Sequence, residues 1–263
     1  MAASALLNIM IKAAHKAGRS LTRDFGEVEN LQVSRKGPAD FVSNADKKAE
    51  QIIHDELIKA RPTYSFLMEE GGEIKGTDGQ HRWIIDPLDG TTNFLHSIPI
   101  FASAIALERN GQIVASVIYN PIMEETFTAE RGGGAWLNER HRLRVAGRRS
   151  LADAVAVTGI KLTGTDNDTL QLRQLAAITP AISGIRRTGS ACTDLAWLAA
   201  GRFDLFWEAK LSPWDIAAGH LMVREAGGFI SDYSGKDNSI STGEVVAGNE
   251  ILQKALLKAL KNL

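Results

Sequence analysis

Apolar positions near the start of the chain recur at helical spacing. Leu6, Met10, Ala13, Ala14 and Ala17 share one face, which predicts an amphipathic helix. Residues 26–40 are rich in turn formers and read as strand or loop. The stretch from Asp40 to Asp46 leads into a second helix, with Ile52, Ile53, Leu57 and Ala60 on its apolar face and Pro62 at its end. Residues 64–68 are mostly apolar or aromatic and predict a short strand, closed by Glu69-Glu70-Gly71-Gly72. The apolar run Trp83-Ile84-Ile85 reads as a buried strand ending in Asp86. Gly90-Thr91-Thr92-Asn93 can then open a helix.

An all-β region follows. Residues 101–108, 113–119 and 125–129 read as successive strands, and Asn110-Gly111 signals a hairpin between the first two. Arg131-Gly132-Gly133-Gly134 turns the chain into Ala135-Trp136-Leu137. Its three glycines suggest a phosphate loop, but no Gly-Lys-Ser/Thr follows, so a plain turn is expected. From residue 154 the pattern alternates. Strands are expected at 154–158, 182–187, 203–207, 229–230 and 244–247. Helices are expected at 170–178, 193–200 and 215–226, with a last one carrying Leu252, Leu256 and Leu260. Strand clusters plus alternating elements predict a layered α+β architecture with mixed sheets.

Composition narrows the class. With 263 residues, 44% hydrophobic, the chain can bury a substantial core. It is expected to form a single domain spanning 1–263, with a possible subdivision near residue 150. A net charge of -1, from 30 basic and 31 acidic residues, gives no general attraction to nucleic acid or anionic membrane. Arg140, Arg142, Arg144, Arg148 and Arg149 are a local exception, readable as a solvated surface or as a contact for RNA or a protein partner. The lone Cys192 cannot form an intrachain disulfide. No apolar run approaches the roughly 18 residues of a membrane span. The short run at residues 5–11 is interrupted by Asn8 and preceded by no positive region, so a cytoplasmic protein is expected.

The chemistry lies in the acids at element boundaries: Asp46, Glu69, Asp86 with Asp89, and Asp215. Each alone has an ordinary explanation, with Asp46 and Asp215 as helix caps and Glu69 as a turn acid. Together they form a hard oxygen set suited to Mg²⁺ or Mn²⁺ rather than zinc. A helix start after Asp89 offers N–H groups to an anion. The six histidines are scattered, and no Gly-x-Ser-x-Gly elbow is present. These features point to a metal-dependent enzyme acting on a phosphate.

Asp86-Pro87-Leu88-Asp89-Gly90-Thr91-Thr92-Asn93-Phe94 resembles the first signature of the inositol monophosphatases. Trp214-Asp215-Ile216-Ala217-Ala218-Gly219, running on to Glu225-Ala226-Gly227-Gly228, resembles the second. Glu69-Glu70 stands where the family carries its metal-binding Glu, and residues 40–46 resemble its early acidic segment. The matches span residues 36–248 in order and are similar to the bacterial extragenic-suppressor type.

The resemblance implies a layered α-β-α-β-α sandwich of the sugar-phosphatase type, and a lithium-sensitive phosphomonoesterase using two or three Mg²⁺ ions. It also implies a homodimer and, as an alternative role, a partner in the transcription machinery. At matching positions it makes Glu69, Asp86, Asp89 and Asp215 metal ligands, joined by the Leu88 carbonyl. Glu69 and Thr91 would orient the attacking water, with Asp46 bonded to Thr91. Leu88, Asp89, Gly90, Thr91 and Asp215 would contact the substrate. Gly189, Ser190, Ala191 and Glu208 would face its hydroxyls, although Glu208 also reads as a surface acid paired with Lys210. The implied substrate is inositol 1-phosphate, a phosphorylated polyol. Related enzymes take fructose 1,6-bisphosphate, 3'-phosphoadenosine 5'-phosphate or histidinol phosphate. Met68 departs from the Gly common before the Glu, and Gly71-Gly72 from the Ser often found after it. Ser212-Pro213 lies where relatives vary and would shape the substrate pocket.

Overall fold

The computed structural model describes residues 4–26, 33–37, 40–160 and 166–261, with only the backbone path described for 33–37, 40–43 and 166–168. The first helix, α1 (Ala5–Phe25), buries Met10, Ala13, Ala14 and Ala17 as its periodicity predicts. Most of the turn-rich stretch 26–40 lies outside the described residues. Within it β1 (Val33–Gly37) pairs antiparallel with β2 (Asp40–Ser43), which runs into α2 (Asn44–Ala60).

A large sheet occupies the middle of the sequence. Its strands are β3 (Ser65–Met68), β4 (Gly72–Ile74), β5 (His81–Asp89), β6 (Ala102–Arg109), β7 (Gln112–Asn120), β8 (Glu125–Glu130), β9 (Gly134–Leu137) and β10 (His141–Arg142). A short helix, α3 (Thr91–Leu95), leaves the end of β5. The strand order is β10-β9-β8-β7-β6-β5-β3-β4, antiparallel except where β3 runs parallel to β5. At the β6–β7 turn Asn110 and Gly111 both take positive φ, as a tight two-residue hairpin requires.

The later elements are β11 (Val155–Thr158), α4 (Asp166–Ile178), β12 (Gly184–Arg186), α5 (Ala191–Ala199), β13 (Leu205–Glu208), α6 (Pro213–Glu225), β14 (Phe229–Ser231), α7 (Ser239–Thr242), β15 (Val245–Gly248) and α8 (Glu250–Leu260). A second sheet of order β12-β11-β13-β15-β14 is parallel through β13 and antiparallel beyond. Mixed sheets were the expectation.

Alternation along the strands assigns the layers. Trp83 and Ile85 point into a core shared with α1 and α2, whereas Ile84 points into the opposite one. That second core holds α5 and α6 between the sheets, against Val157, Phe206, Val245 and Ala247. Ala156, Leu205, Trp207 and Val246 face outward to α4 and α8. Both sheets are therefore apolar on both faces, and an α-β-α-β-α sandwich follows.

The central helix layer is tight. A Cβ at Gly219 of α6 would stand 2.5 Å from the Cβ of the fully buried Leu195 on α5. Gly219→Ala should therefore destabilise by about 1–3 kcal/mol through overpacking, where an exposed helical glycine would gain about 1 kcal/mol. Urea unfolding of the chelated protein measures the sign, and a gain would disprove the close crossing.

Candidate functional site

The first surprise in the site is the path of β5. The expected strand end at Asp86 is a bulge, and the strand continues to Asp89. Asp86 pairs with Ala104 and Asp89 with Ala102, so β5 carries one residue more than its partner over this interval. In a regular strand positions i and i+3 point to opposite faces. The extra residue returns Asp89 to the side of Asp86, and their carboxylate oxygens lie within 4.8 Å. Pro87, which has no N–H to leave unpaired, sits in the bulge, and its carbonyl accepts from Ser103 Oγ at 2.7 Å.

Two neighbours bring further acids. The parallel register sets Met68 beside Ile85, so Glu69 emerges next to Asp86, and its N–H donates to the Ile85 carbonyl at 3.3 Å. Asp215 comes from the first turn of α6, where its Oδ2 accepts from the Ser212 N–H at 2.7 Å. Asp215 and Asp46 are first-turn residues and not N-caps; Ser212 is the cap of α6. Asp215 closes a capping box with Ser212 through one carboxylate oxygen, and an acid in the first turn also meets the positive end of the helix.

Asp89 is held by α5. The N–H groups of Ala191 and Cys192 donate to its carboxylate at 3.2 and 2.7 Å, and Ser190 Oγ donates at 2.5 Å. Asp46 is fully buried beneath Thr91. Thr91 Oγ1 lies 3.0 Å from the Leu88 carbonyl and 3.4 Å from Asp46 Oδ2. Gly90 takes φ +94, and a Cβ there would reach within 3.0 Å of the Ile100 carbonyl. Only glycine lets β5 turn into α3 so closely against the next strand.

Glu69, Asp86, Leu88, Asp89, Gly90, Thr91, Gly189, Ser190, Ala191, Glu208 and Asp215 all line one cavity of about 430 Å³. Asp46 stands behind it. Glu208, the last residue of β13, is half-buried and lines this cavity. Sequence reasoning missed several residues. Arg187 and Asp194 also line the wall. Asp194 is buried, accepts from Thr188 Oγ1 at 2.5 Å, and burial pushes its carboxyl well above the usual range. An acid inside the apolar run of α5 was the available signal. Asn93 ties α3 to the loop before α5, donating to the Ile100 and Thr188 carbonyls at 2.7 and 2.8 Å. Glu50 is also buried and accepts from the Glu70 N–H at 2.8 Å, fixing the turn beyond Glu69.

The departures at Met68 and Gly71 belong together. A Cβ at Gly71 would lie 2.8 Å from Met68 Cε and 3.0 Å from Glu50 Oε1. The larger residue before Glu69 is accommodated by the smaller one after it. The glycine turn also has an occupant: the Gly132 and Gly134 N–H groups each donate to the Glu225 carboxylate at 2.9 Å. It binds an anion, but the anion is the chain's own side chain. Arg140, Arg142, Arg144, Arg148 and Arg149 are exposed, and Arg148 pairs with Asp204 at 3.1 Å.

Burial, then the charges of Glu69, Asp89, Asp215 and Asp46, raise Asp86 well above the carboxylate range. Burial also raises Asp89, against the hydrogen bonds it accepts. The donor set is hard. Cys192 Sγ lies in the same cluster, but burial and the neighbouring acids push its thiol up, and it donates to the Asp215 carbonyl at 3.3 Å. Clustered carboxylates with a protonated thiol fit a hard divalent cation.

A family model described as the inositol monophosphatase family matches residues 2–263. The chain belongs to the inositol monophosphatase family. It is an enzyme of the phosphatase class. It is 63% identical over 261 residues to the inositol-1-monophosphatase of Mesorhizobium japonicum, covering 99% of this chain and 98% of that protein. It is 43% identical to the Nus factor SuhB of Escherichia coli, over 98% and 96% of the two chains. The crystal structure of the extragenic suppressor protein suhB from Bartonella henselae matches with a TM-score of 0.95 at 58% identity, covering 98% and 99%. No helix among the described residues is long and apolar enough to cross a membrane.

Asp86 and Asp89 hold protons more tightly folded and cation-free than unfolded. Their contribution to stability is present below the unfolded carboxylate pKa of about 4 and lost as pH rises through their raised folded values. The chelated protein's melting temperature should accordingly fall as pH climbs from about 4 toward neutrality. Mg²⁺ should restore it most at the upper end of that window. Asp86→Asn should flatten both trends, and a melting profile indifferent to Mg²⁺ would count against a cation site.

Proposed function

We propose that this chain hydrolyses inositol 1-phosphate to inositol and phosphate in a Mg²⁺-dependent reaction. The observation that supports this most is the convergence of Glu69, Asp86, Asp89 and Asp215 on one cavity whose lining also includes the hydrogen-bond acceptor Glu208. In this reading those four acids and the Leu88 carbonyl hold the cations. Bound Mg²⁺ supplies charge neutralisation for the ester and lowers the pKa of a water.

The side chains do the positioning. The Thr91 hydroxyl has one proton, which goes to the Leu88 carbonyl or to Asp46. Its lone pairs are thereby turned outward to accept from a water, and Glu69 accepts the water's second proton. Two acceptors fix the water's lone pair along the line of attack on phosphorus, and phosphoryl transfer depends chiefly on such alignment. Ser190 and the N–H groups of α5 keep Asp89 rigid beneath the phosphate. Glu208 accepts hydrogen bonds from the leaving polyol. The relatives named inositol-1-monophosphatase at 52–63% identity support this ester over the other candidates.

Asp89→Asn keeps shape but removes a ligand charge. Turnover of inositol 1-phosphate should fall by at least about 10²-fold, while the chelated protein still unfolds cooperatively, destabilised by about 1–3 kcal/mol where the new amide meets the N–H donors of α5. Assays on inositol 1-phosphate, fructose 1,6-bisphosphate, 3'-phosphoadenosine 5'-phosphate and histidinol phosphate, with and without chelator, test the reading. Turnover that survives exhaustive chelation, or near-wild-type turnover in the variant, would refute the metal mechanism.

A second role has its own support. The Escherichia coli relative bears the name Nus factor, and Arg140, Arg142, Arg144 and Arg149 stand exposed along one segment. In this reading the segment meets a partner of the transcription machinery. Purified RNA polymerase with its elongation factors should be retained by the wild type. It should be lost when these four arginines become serine, with phosphatase activity intact; equal retention by both proteins rejects the arginine contact.

A further inference from the structure

Gly159 follows the last residue of β11 and borders the same cavity as Glu208. A Cβ built on Gly159 would lie 1.8 Å from Glu208 Oε1, 2.1 Å from Cδ and 2.4 Å from Oε2. The Glu208 carboxylate thus lies in the space that any side chain at 159 would fill.

The backbone around this notch is fixed. Thr158 is in parallel register with Trp207, so Gly159 and Glu208 are the next pair along β11 and β13. Thr158 Oγ1 also donates to the Trp207 carbonyl, and Trp207 is buried against the outer helices. The pairing and the Thr158 hydrogen bond hold the two strand ends together. Glu208 can move, because the clashing atoms are the far end of a flexible side chain. To restore ordinary van der Waals distance the carboxylate must retreat by roughly 1.5 Å. The φ of Gly159 lies outside the left-handed region, so alanine brings no backbone strain.

We propose that Gly159 is a positioning residue that sets the reach of Glu208 and, through it, selects leaving groups rich in hydroxyls. This rests on the reading of Glu208 as the polyol contact. A carboxylate accepts hydrogen bonds and donates none. Seated in the notch, it leaves room for a ring and presents acceptors to hydroxyl donors. Displaced from the notch, it loses the spacing that those hydroxyls require. The phosphate end of the substrate is left in place, because the atoms nearest a Cβ at Gly159 are those of Glu208 and none belongs to Glu69, Asp86, Asp89 or Asp215.

The test compares wild type, Gly159→Ala, Glu208→Gln and the double variant on two esters, inositol 1-phosphate and phenyl phosphate, with Mg²⁺ present. Gly159→Ala should raise KM for inositol 1-phosphate about tenfold, the scale of a lost hydrogen bond to a charged group. It should leave kcat and all phenyl phosphate kinetics within about twofold. The double variant should be no worse than the worse single one, because both changes remove the same contact. An unchanged KM for inositol 1-phosphate, an equal loss on both esters, or strictly additive losses would overturn the proposal. A crystal structure of Gly159→Ala supplies the second measurement. Glu208 should be displaced from its wild-type position, and a carboxylate that stays in place overturns the proposal whatever the substrate. If the wild type cleaves phenyl phosphate but not inositol 1-phosphate, the polyol reading fails, and the displacement still decides what Gly159 does.

Discussion

Like charges gathered in a half-buried space set the terms for everything around them. After burial, the groups acting on Asp86 are Glu69, Asp89, Asp215 and Asp46, all of one sign. Carboxylates so close would spread apart if their backbones allowed it. The bulge in β5, the parallel register of β3, the N-terminus of α5 and the first turn of α6 each deny one acid that escape. The arrangement is unfavourable for the protein alone, and in the proposed reading a divalent cation would offset it. The same restraint that raises the carboxylates' proton affinity would keep them ready for a metal.

The central helix layer carries that restraint across the molecule. Helix α6 is fixed at both ends, by Asp215 on the Ser212 N–H at its start and by Glu225 in the glycine turn after β8 at its finish. Helix α5 meets Asp89 of the larger sheet with its first N–H groups and packs on α6 through the contact at Gly219. Residues from the C-terminal half therefore complete a site that begins in the N-terminal sheet. The proposed site draws on the larger sheet, on β13 of the second sheet and on the helices between them.

Much of this was legible in the chain. The strands and helices were marked by period and punctuation, and the acid positions stood out because each interrupts an element boundary. Other features were not legible, for identifiable reasons. The bulge between Asp86 and Asp89 is a relation between two strands, and only pairing with β6 reveals it. Glu50, Asn93 and Asp194 look like routine polar residues until the backbone brings an N–H or a carbonyl to them from distant segments. The glycine turn was correctly separated from a phosphate loop, yet its partner Glu225 lies more than ninety residues away. Asp46 and Asp215 were read as possible caps because capping and first-turn placement differ by a few positions that sequence pattern does not resolve.

The spread of the site along the chain has a kinetic meaning. Asp46 and Asp215 are separated by most of the sequence, and loops of that length close late and slowly. If α6 docks after the larger sheet has formed, Glu69, Asp86 and Asp89 would face solvent until then and repel one another weakly. Docking would bring Asp215 into the cluster and work against the field it completes. A divalent ion captured by the earlier acids would remove that opposition. In this chain the cofactor would act first as a folding partner, lowering the barrier to final closure, and only afterwards as a reagent.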